Sequence, residues 1–152
     1  MPSQPKLDNM YMAVADRVAE MSHGLRSKVG AVLAKDDNII SYGWNGTPAG
    51  DDNLCEIENA DGTLTSKNSV LHAESNVLTK LAANGGIGAK GATLYVTLSP
   101  CFDCAKLIKQ SKISRVVYRQ QYRLLDGIEF LRERGVEVTQ LCPEITHNTE
   151  NI

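Results

Sequence analysis

No stretch of the sequence approaches the roughly 18 consecutive apolar residues that a membrane-spanning helix needs. The opening run MPSQPKLDNMY also lacks the apolar core of a secretory signal, so a cytoplasmic protein with no membrane partner is expected. Nor is there an excess of positive charge, since 16 Lys and Arg stand against 18 Asp and Glu, a formal net charge of -2. A chain so balanced has no broad basic field to gather a phosphate backbone, which argues against a nucleic-acid polymer as partner. Cysteine is scarce, with 4 in the chain (Cys55, Cys101, Cys104 and Cys142). In a reducing compartment these serve more readily as metal ligands or buried thiols than as a disulfide framework. Internal repeats, low-complexity blocks and linkers are missing as well. The 152 residues therefore read as one domain, 1–152, long enough to bury roughly two-thirds of the surface the unfolded chain exposes.

Hydrophobic periodicity organises what is there. Leu7, Tyr11, Val14, Val18 and Met21 recur at steps of three and four, which predicts an amphipathic helix closing near Gly24. VGAVLAK and NIISYGW, separated by Asp36 and Asp37, predict a β-hairpin. Residues 45–69 carry Gly, Pro, Asp and Asn throughout and read as a long loop, a length that is uncommon without a function. Beyond them strand and helix alternate: a helix from Leu71 to Ala83, strand ATLYVTL, a helix from Cys101 to Lys112, strand SRVVYR, a helix from Leu124 to Arg134 and strand VEVTQL. Right-handed crossovers make the last three strands parallel neighbours, beside the antiparallel hairpin. The predicted fold class is α/β, a three-layer α/β/α sandwich with a mixed five-stranded sheet.

Two short clusters fall at helix N-termini in this scheme, LHAES at 71–75 and SPCFDC at 99–104. Cys101 and Cys104, three apart, share a helix face, and the free N–H groups at that helix end favour thiolate over thiol. With the His72 imidazole they make three ligands, which is the set of a catalytic zinc that keeps a fourth position open. Cys55 and Cys142 are isolated, so a fourth protein ligand is hard to find. A redox Cys-x-x-Cys would also open a helix after a strand, but it leaves His72 and Glu74 without a role. His-x-Glu followed by Pro-Cys-x-x-Cys is the known signature of zinc-dependent deaminases. Replacing the amine at C4 of cytosine by oxygen needs a nucleophile at neutral pH, which zinc supplies by lowering the pKa of water to about 7. It also needs a carboxylate to carry protons, and Glu74 is the acidic residue placed for that; Asp103, off the cysteine face, is expected to point to solvent.

At this level of detail SKVGAVLAKDDNIISYGWNGTPAG, LHAESNVL and ATLYVTLSPCFDCAKLIKQSKISRVVY resemble the deoxycytidylate (dCMP) deaminases of the cytidine deaminase superfamily, over about Ser22 to Val138. GWNG is the most selective element, because the zinc motif is shared across the superfamily. The resemblance implies deamination of dCMP to dUMP, with zinc on His72, Cys101 and Cys104 and Glu74 as proton shuttle. It further implies that the Ala73 N–H holds the cytosine carbonyl and that Asn45 contacts the sugar. A homo-hexamer regulated by dCTP and dTTP together with magnesium is implied too, with Gly43, Trp44, Asn45 and Gly46 as the effector segment. Relatives often carry extra Cys and His before the His-Ala-Glu helix for a second zinc; here that loop offers only Cys55, so one zinc per chain is expected.

Other residues keep two readings. Arg26, with Lys28, either binds a 5′-phosphate or is solvated; Tyr122 either flanks the base or packs. Tyr42 reads as a strand-face aromatic; Lys106, Lys109 and Lys112 as a wet helix face; His23 and His147 as surface residues. The alternatives to dCMP deamination are action on dCTP or deoxycytidine, a catalytically silent zinc-containing nucleotide sensor, and a redox protein.

Overall fold

The computed structural model describes residues 1–142. Its elements are α1 (Gln4–Ala19), β1 (Gly30–Lys35), β2 (Asn38–Trp44), β3 (Glu56–Glu58), β4 (Leu64–Ser66), α2 (Ala73–Asn84), β5 (Thr93–Leu98), α3 (Phe102–Gln110), β6 (Arg115–Gln120), α4 (Asp126–Glu133) and β7 (Glu137–Gln140). Five strands form one sheet in the order β2-β1-β5-β6-β7. β1 pairs antiparallel with β2 and with β5, whereas β5, β6 and β7 run parallel, so the sheet is mixed as the spacing predicts.

Successive side chains of a strand point to opposite faces, and this sheet buries both. Val32, Ala34, Tyr95 and Val117 face Tyr11, Met12 and Ala15 of α1. Ala31, Leu33, Leu94, Val96 and Val116 face the other way, onto Val77 of α2, Ile108 of α3 and Leu131 of α4. The result is the expected three-layer α/β/α sandwich, with one helix on one face and three on the other. Continuous apolar runs such as GAVLAK are what a strand covered on both faces requires.

Three local expectations change. The buried face of α1 centres on Tyr11, Met12, Ala15 and Ala19, while Val14 and Val18 are half-buried and Met21 is exposed beyond the helix end. The small alanines, not the larger apolar residues, allow α1 to lie close to the sheet. Second, residues 45–69 are not all loop. Glu56–Glu58 and Leu64–Ser66 form a small antiparallel hairpin, turned at Gly62 with φ 83° and braced by Asn59 Nδ2 on Thr63 and Thr65. Third, α3 ends at Gln110, short of Lys112, which sits at φ 60°. His23 is exposed, and His147 lies outside the described residues.

One polar group is spent on holding α1 in place. Asp8, 5% exposed, accepts two hydrogen bonds from the Arg115 guanidinium of β6 at 2.8 Å each, one from Tyr95 Oη of β5 at 2.7 Å and one from Gln4 at 2.8 Å. Desolvation pushes this carboxyl up, but the donors of Arg115, Tyr95 and Gln4 outweigh it and hold the group below its ordinary value. Removing one member of a buried pair leaves the other uncompensated, at a cost of about 3–5 kcal/mol. Asp8→Ala is expected to lose stability on that scale in urea unfolding at pH 7. Because the folded-state value is depressed, the wild-type advantage is full above the unfolded value near 3.9 and disappears as pH falls through the folded value. A gap between wild type and variant that stays constant from pH 7 to pH 3 would show that the charge on Asp8 is not its source.

Candidate active site

Strand β5 ends at Leu98, and Ser99 and Pro100 lead into Cys101, the N-cap of α3; His72 is the N-cap of α2. Both helices therefore begin at the carboxyl edge of the sheet, beside the boundary between antiparallel β1 and parallel β5. Crevices at such edges are where open α/β sheets bind ligands. Neither N-cap side chain caps its own helix. The His72 imidazole and Cys101 thiol are thus free to turn towards one another, and Cys104, one turn further along α3, joins them.

Their ligand atoms lie within 4.8 Å of one another, with His72 Nδ1 at 3.5 Å from Cys101 Sγ and 3.4 Å from Cys104 Sγ. Tetrahedral zinc with Zn–S near 2.3 Å and Zn–N near 2.0–2.1 Å places such atoms about 3.6 Å apart. The donor set and spacing fit that ion. Among protein atoms alone, the Cys101 thiol is pulled down to about 4 by the Cys104 hydrogen bond and then by His72. Cys104 moves the other way, pushed up first by Cys101 and then by burial. His72 is raised, chiefly by its bond to Cys101. Glu74, 4% exposed, is held above the usual carboxylate range by burial.

A pocket of about 310 Å³ opens over this group. It gathers His72, Ala73, Glu74 and Cys101 with the predicted Asn45, Arg26 and Tyr122. The Ala73 N–H is at the start of α2, where no intrahelical carbonyl can accept it. Asn45 reaches the pocket while its amide also binds the backbone, with Oδ1 accepting from Val29 at 2.8 Å and Nδ2 donating to Ser27 at 2.9 Å. Tyr122 is set by its N–H, which donates to the buried Ser99 Oγ at 2.6 Å. Arg26 is exposed on the rim and donates to Ser66 Oγ at 3.3 Å. Asp103 stands outside, 86% exposed and paired with Lys106.

The rest of GWNG does not line the pocket. Gly43 is buried against α2, where a Cβ would meet Val77 N at 2.9 Å, so its bareness is already used in helix packing. The Trp44 carbonyl accepts from Asn76 at 2.6 Å, and its ring lies 6.4 Å from Tyr42, with Lys80 over both. Gly46 exchanges backbone hydrogen bonds with Leu71, just before His72. Several lining residues escaped the sequence reading, among them Glu56, Ser66 and Lys67 from the β3–β4 region. Each sits in or beside strands of three residues, too short for any periodicity to mark them.

The family model for the cytidine and deoxycytidylate deaminase zinc-binding region matches residues 5–120. The chain belongs to that deaminase family. The deoxycytidylate deaminase of Enterobacteria phage T4 is 35% identical over 167 residues, covering 84% of this chain and 86% of that protein. Its human counterpart is 38% identical over 112 residues, 71% of this chain and 61% of the human protein. The crystal structure of the dCMP deaminase of cyanophage S-TIM5, in complex with dCMP and dUMP, superimposes with a TM-score of 0.84 at 40% identity, covering 92% of this chain and all of that one. The family's zinc-binding region spans His72, Cys101 and Cys104, and the three-layer fold is that of its deoxycytidylate members.

Proposed function

We propose that this chain is a zinc-dependent deaminase that hydrolyses dCMP to dUMP and ammonia. The observation that carries the reading is one pocket that opens onto the His/Cys/Cys group and is lined by the buried Glu74 carboxyl and by the cationic Arg26 and Lys67. His72 Nδ1 and the sulfurs of Cys101 and Cys104 would hold the zinc, which when bound lowers the pKa of a water to about 7. Glu74 takes a proton from the attacking water, delivers it to ring N3, and carries the second to the departing amine at C4. The Ala73 N–H receives the cytosine carbonyl, Asn45 the sugar, and Tyr122 lies against the base. Burial serves Glu74 in this role, because a carboxyl that holds its proton readily can return it. A metal that only stabilises structure needs no unliganded carboxyl beside it, which disfavours the silent sensor.

The substrate is tested with a panel of deoxycytidine, dCMP, dCTP and CMP, followed by the ultraviolet change from cytosine to uracil. dCMP is expected to be preferred. An Arg–phosphate pair left empty forfeits charge-assisted hydrogen bonds of roughly 1.5–3 kcal/mol each, so deoxycytidine should trail by at least about tenfold. Arg26→Ala should narrow that gap; equal losses on both substrates would assign Arg26 to structure.

The finer reading adds regulation: a cytoplasmic homo-hexamer in which dCTP raises and dTTP lowers the apparent affinity for dCMP, with magnesium bridging the effector phosphates. Its support is the two-sided GWNG turn. Asn45 reaches the pocket, while Trp44, outside it, lies with Tyr42 under the Lys80 ammonium, a surface suited to a base and a phosphate. Coupling of the usual 1–3 kcal/mol would shift dCMP saturation curves by about 5–150-fold. Trp44→Ala should abolish both shifts and keep its zinc, and withdrawal of magnesium should abolish them in the wild type. Curves that superimpose with and without either nucleotide would reduce GWNG to a substrate turn.

A further inference from the structure

Residues 22–29, between α1 and β1, form neither helix nor strand, yet they carry Arg26 to the pocket rim. On their inner side Asn45 ties down Ser27 and Val29 through its amide, and Ser22 Oγ donates to the Asn45 carbonyl at 2.8 Å. Gly24 permits this compactness, since a Cβ there would collide with the Ser27 carbonyl oxygen. On the outer side a different residue does the work. Glu56 Oε1 accepts the Leu25 N–H at 2.8 Å and the Arg26 N–H at 3.1 Å.

Glu56 is the first residue of β3, some 30 positions further along the chain than the N–H groups it accepts. It makes no contribution to either apolar core, and it lines the pocket. Two adjacent N–H groups converging on one carboxylate oxygen form a charge-assisted tie, stronger than its neutral counterpart. The same hairpin supplies Ser66, which takes the Arg26 guanidinium at 3.3 Å, and ends beside Lys67, whose ammonium lies 3.1 Å from Asp52. Without the Glu56 tie the turn would be held from its inner side alone, through Ser22, Ser27 and Val29, and the Arg26 guanidinium by its long bond to Ser66. An ordered guanidinium loses less freedom when it meets an anion than one that must first be immobilised.

We propose that Glu56 is a positioning residue for the 5′-phosphate: by clamping the Leu25 and Arg26 N–H groups it fixes the turn that holds the Arg26 guanidinium beside the hairpin at the pocket rim. This rests on the dCMP reading above. Glu56 acts through Arg26 and touches no reacting atom, so its loss appears in binding of the phosphorylated substrate and not in the chemical step.

The test measures kcat and KM on dCMP and, at high enzyme concentration, kcat/KM on deoxycytidine, for wild type, Glu56→Ala, Glu56→Gln, Arg26→Ala and the Arg26→Ala/Glu56→Ala double variant. Glu56→Ala should raise KM for dCMP roughly tenfold with kcat little changed, a loss equivalent to about one charge-assisted hydrogen bond. Deoxycytidine should fall by much less. Glu56→Gln keeps an acceptor oxygen and should recover most of the loss. In the Arg26→Ala background, Glu56→Ala should add almost nothing, because both act on one contact. Parallel losses on the two substrates, a Gln variant as impaired as Ala, or additive effects with Arg26→Ala would each overturn the inference. Should Ala at position 56 lower the unfolding midpoint, Glu56→Asp replaces it and the same comparisons decide. A wild-type chain that leaves dCMP unchanged would instead sink the dCMP reading itself, whereas a wild type active on dCMP with an unaltered Glu56→Ala variant sinks only this proposal.

Discussion

Replacing Glu74 by Ala is expected to lower turnover of dCMP by ~10²–10⁴-fold, the span typical of general acid–base catalysis, while zinc stays bound and the chain stays folded. The cause is the place of the carboxyl in the fold. It is buried in the first turn of α2, two residues after His72 and beside Cys104, and it lines the pocket without belonging to the His/Cys/Cys group. Nothing in the fold requires an acid there. A buried carboxyl is costly to ionise, and its removal need not destabilise the core. The isosteric Glu74→Gln removes the proton-carrying oxygen with almost no change of volume and should fall by a similar factor. Zinc content by elemental analysis and the thermal midpoint separate this outcome from misfolding. Near-normal turnover in either variant would remove Glu74 from the mechanism.

His72→Ala and Cys101→Ser should behave differently, losing metal and activity together. These side chains come from two N-caps that meet only because α2 and α3 begin at the same sheet edge. Three ligands leave no redundancy, and metal binding that is linked to the folded state also stabilises it. Activity is expected to drop to background, zinc to well below one per chain, and the thermal midpoint to fall towards that of chelator-treated wild type. Glu74→Ala and His72→Ala thus form a pair, both inactive but only one metal-free. A zinc-free His72→Ala enzyme with wild-type turnover would end the metal reading.

What could be read in advance, and what could not, divides along physical lines. The central strands β1, β5 and β6 were legible because burial on both faces demands apolar runs such as GAVLAK and TLYVTL. The zinc candidates were legible because cysteine and histidine are rare and stand at helix starts. The face of α1 was misplaced: periodicity weights Val18 and Met21 by size, whereas close approach of helix to sheet selects Ala15 and Ala19. The β3–β4 hairpin was missed because strands of three residues, with Glu56, Glu58 and Ser66 turned to solvent or the pocket, carry no alternation to detect. With it went Glu56, which reaches back some thirty positions to the Leu25 and Arg26 N–H groups, and Lys67, which pairs with Asp52. Gly43, which the resemblance places in the effector segment, has its bareness taken up by close packing against α2, a contact that no local pattern announces.

The central claim is that this zinc-bound pocket converts dCMP to dUMP. The most direct measurement incubates the zinc-loaded chain and its chelator-stripped counterpart with dCMP and quantifies dUMP and ammonia over time. The zinc-loaded chain should release the two in equal amounts, and the stripped chain should release neither until zinc is restored. No dUMP from the zinc-loaded chain, or equal rates from the two preparations, would contradict the account.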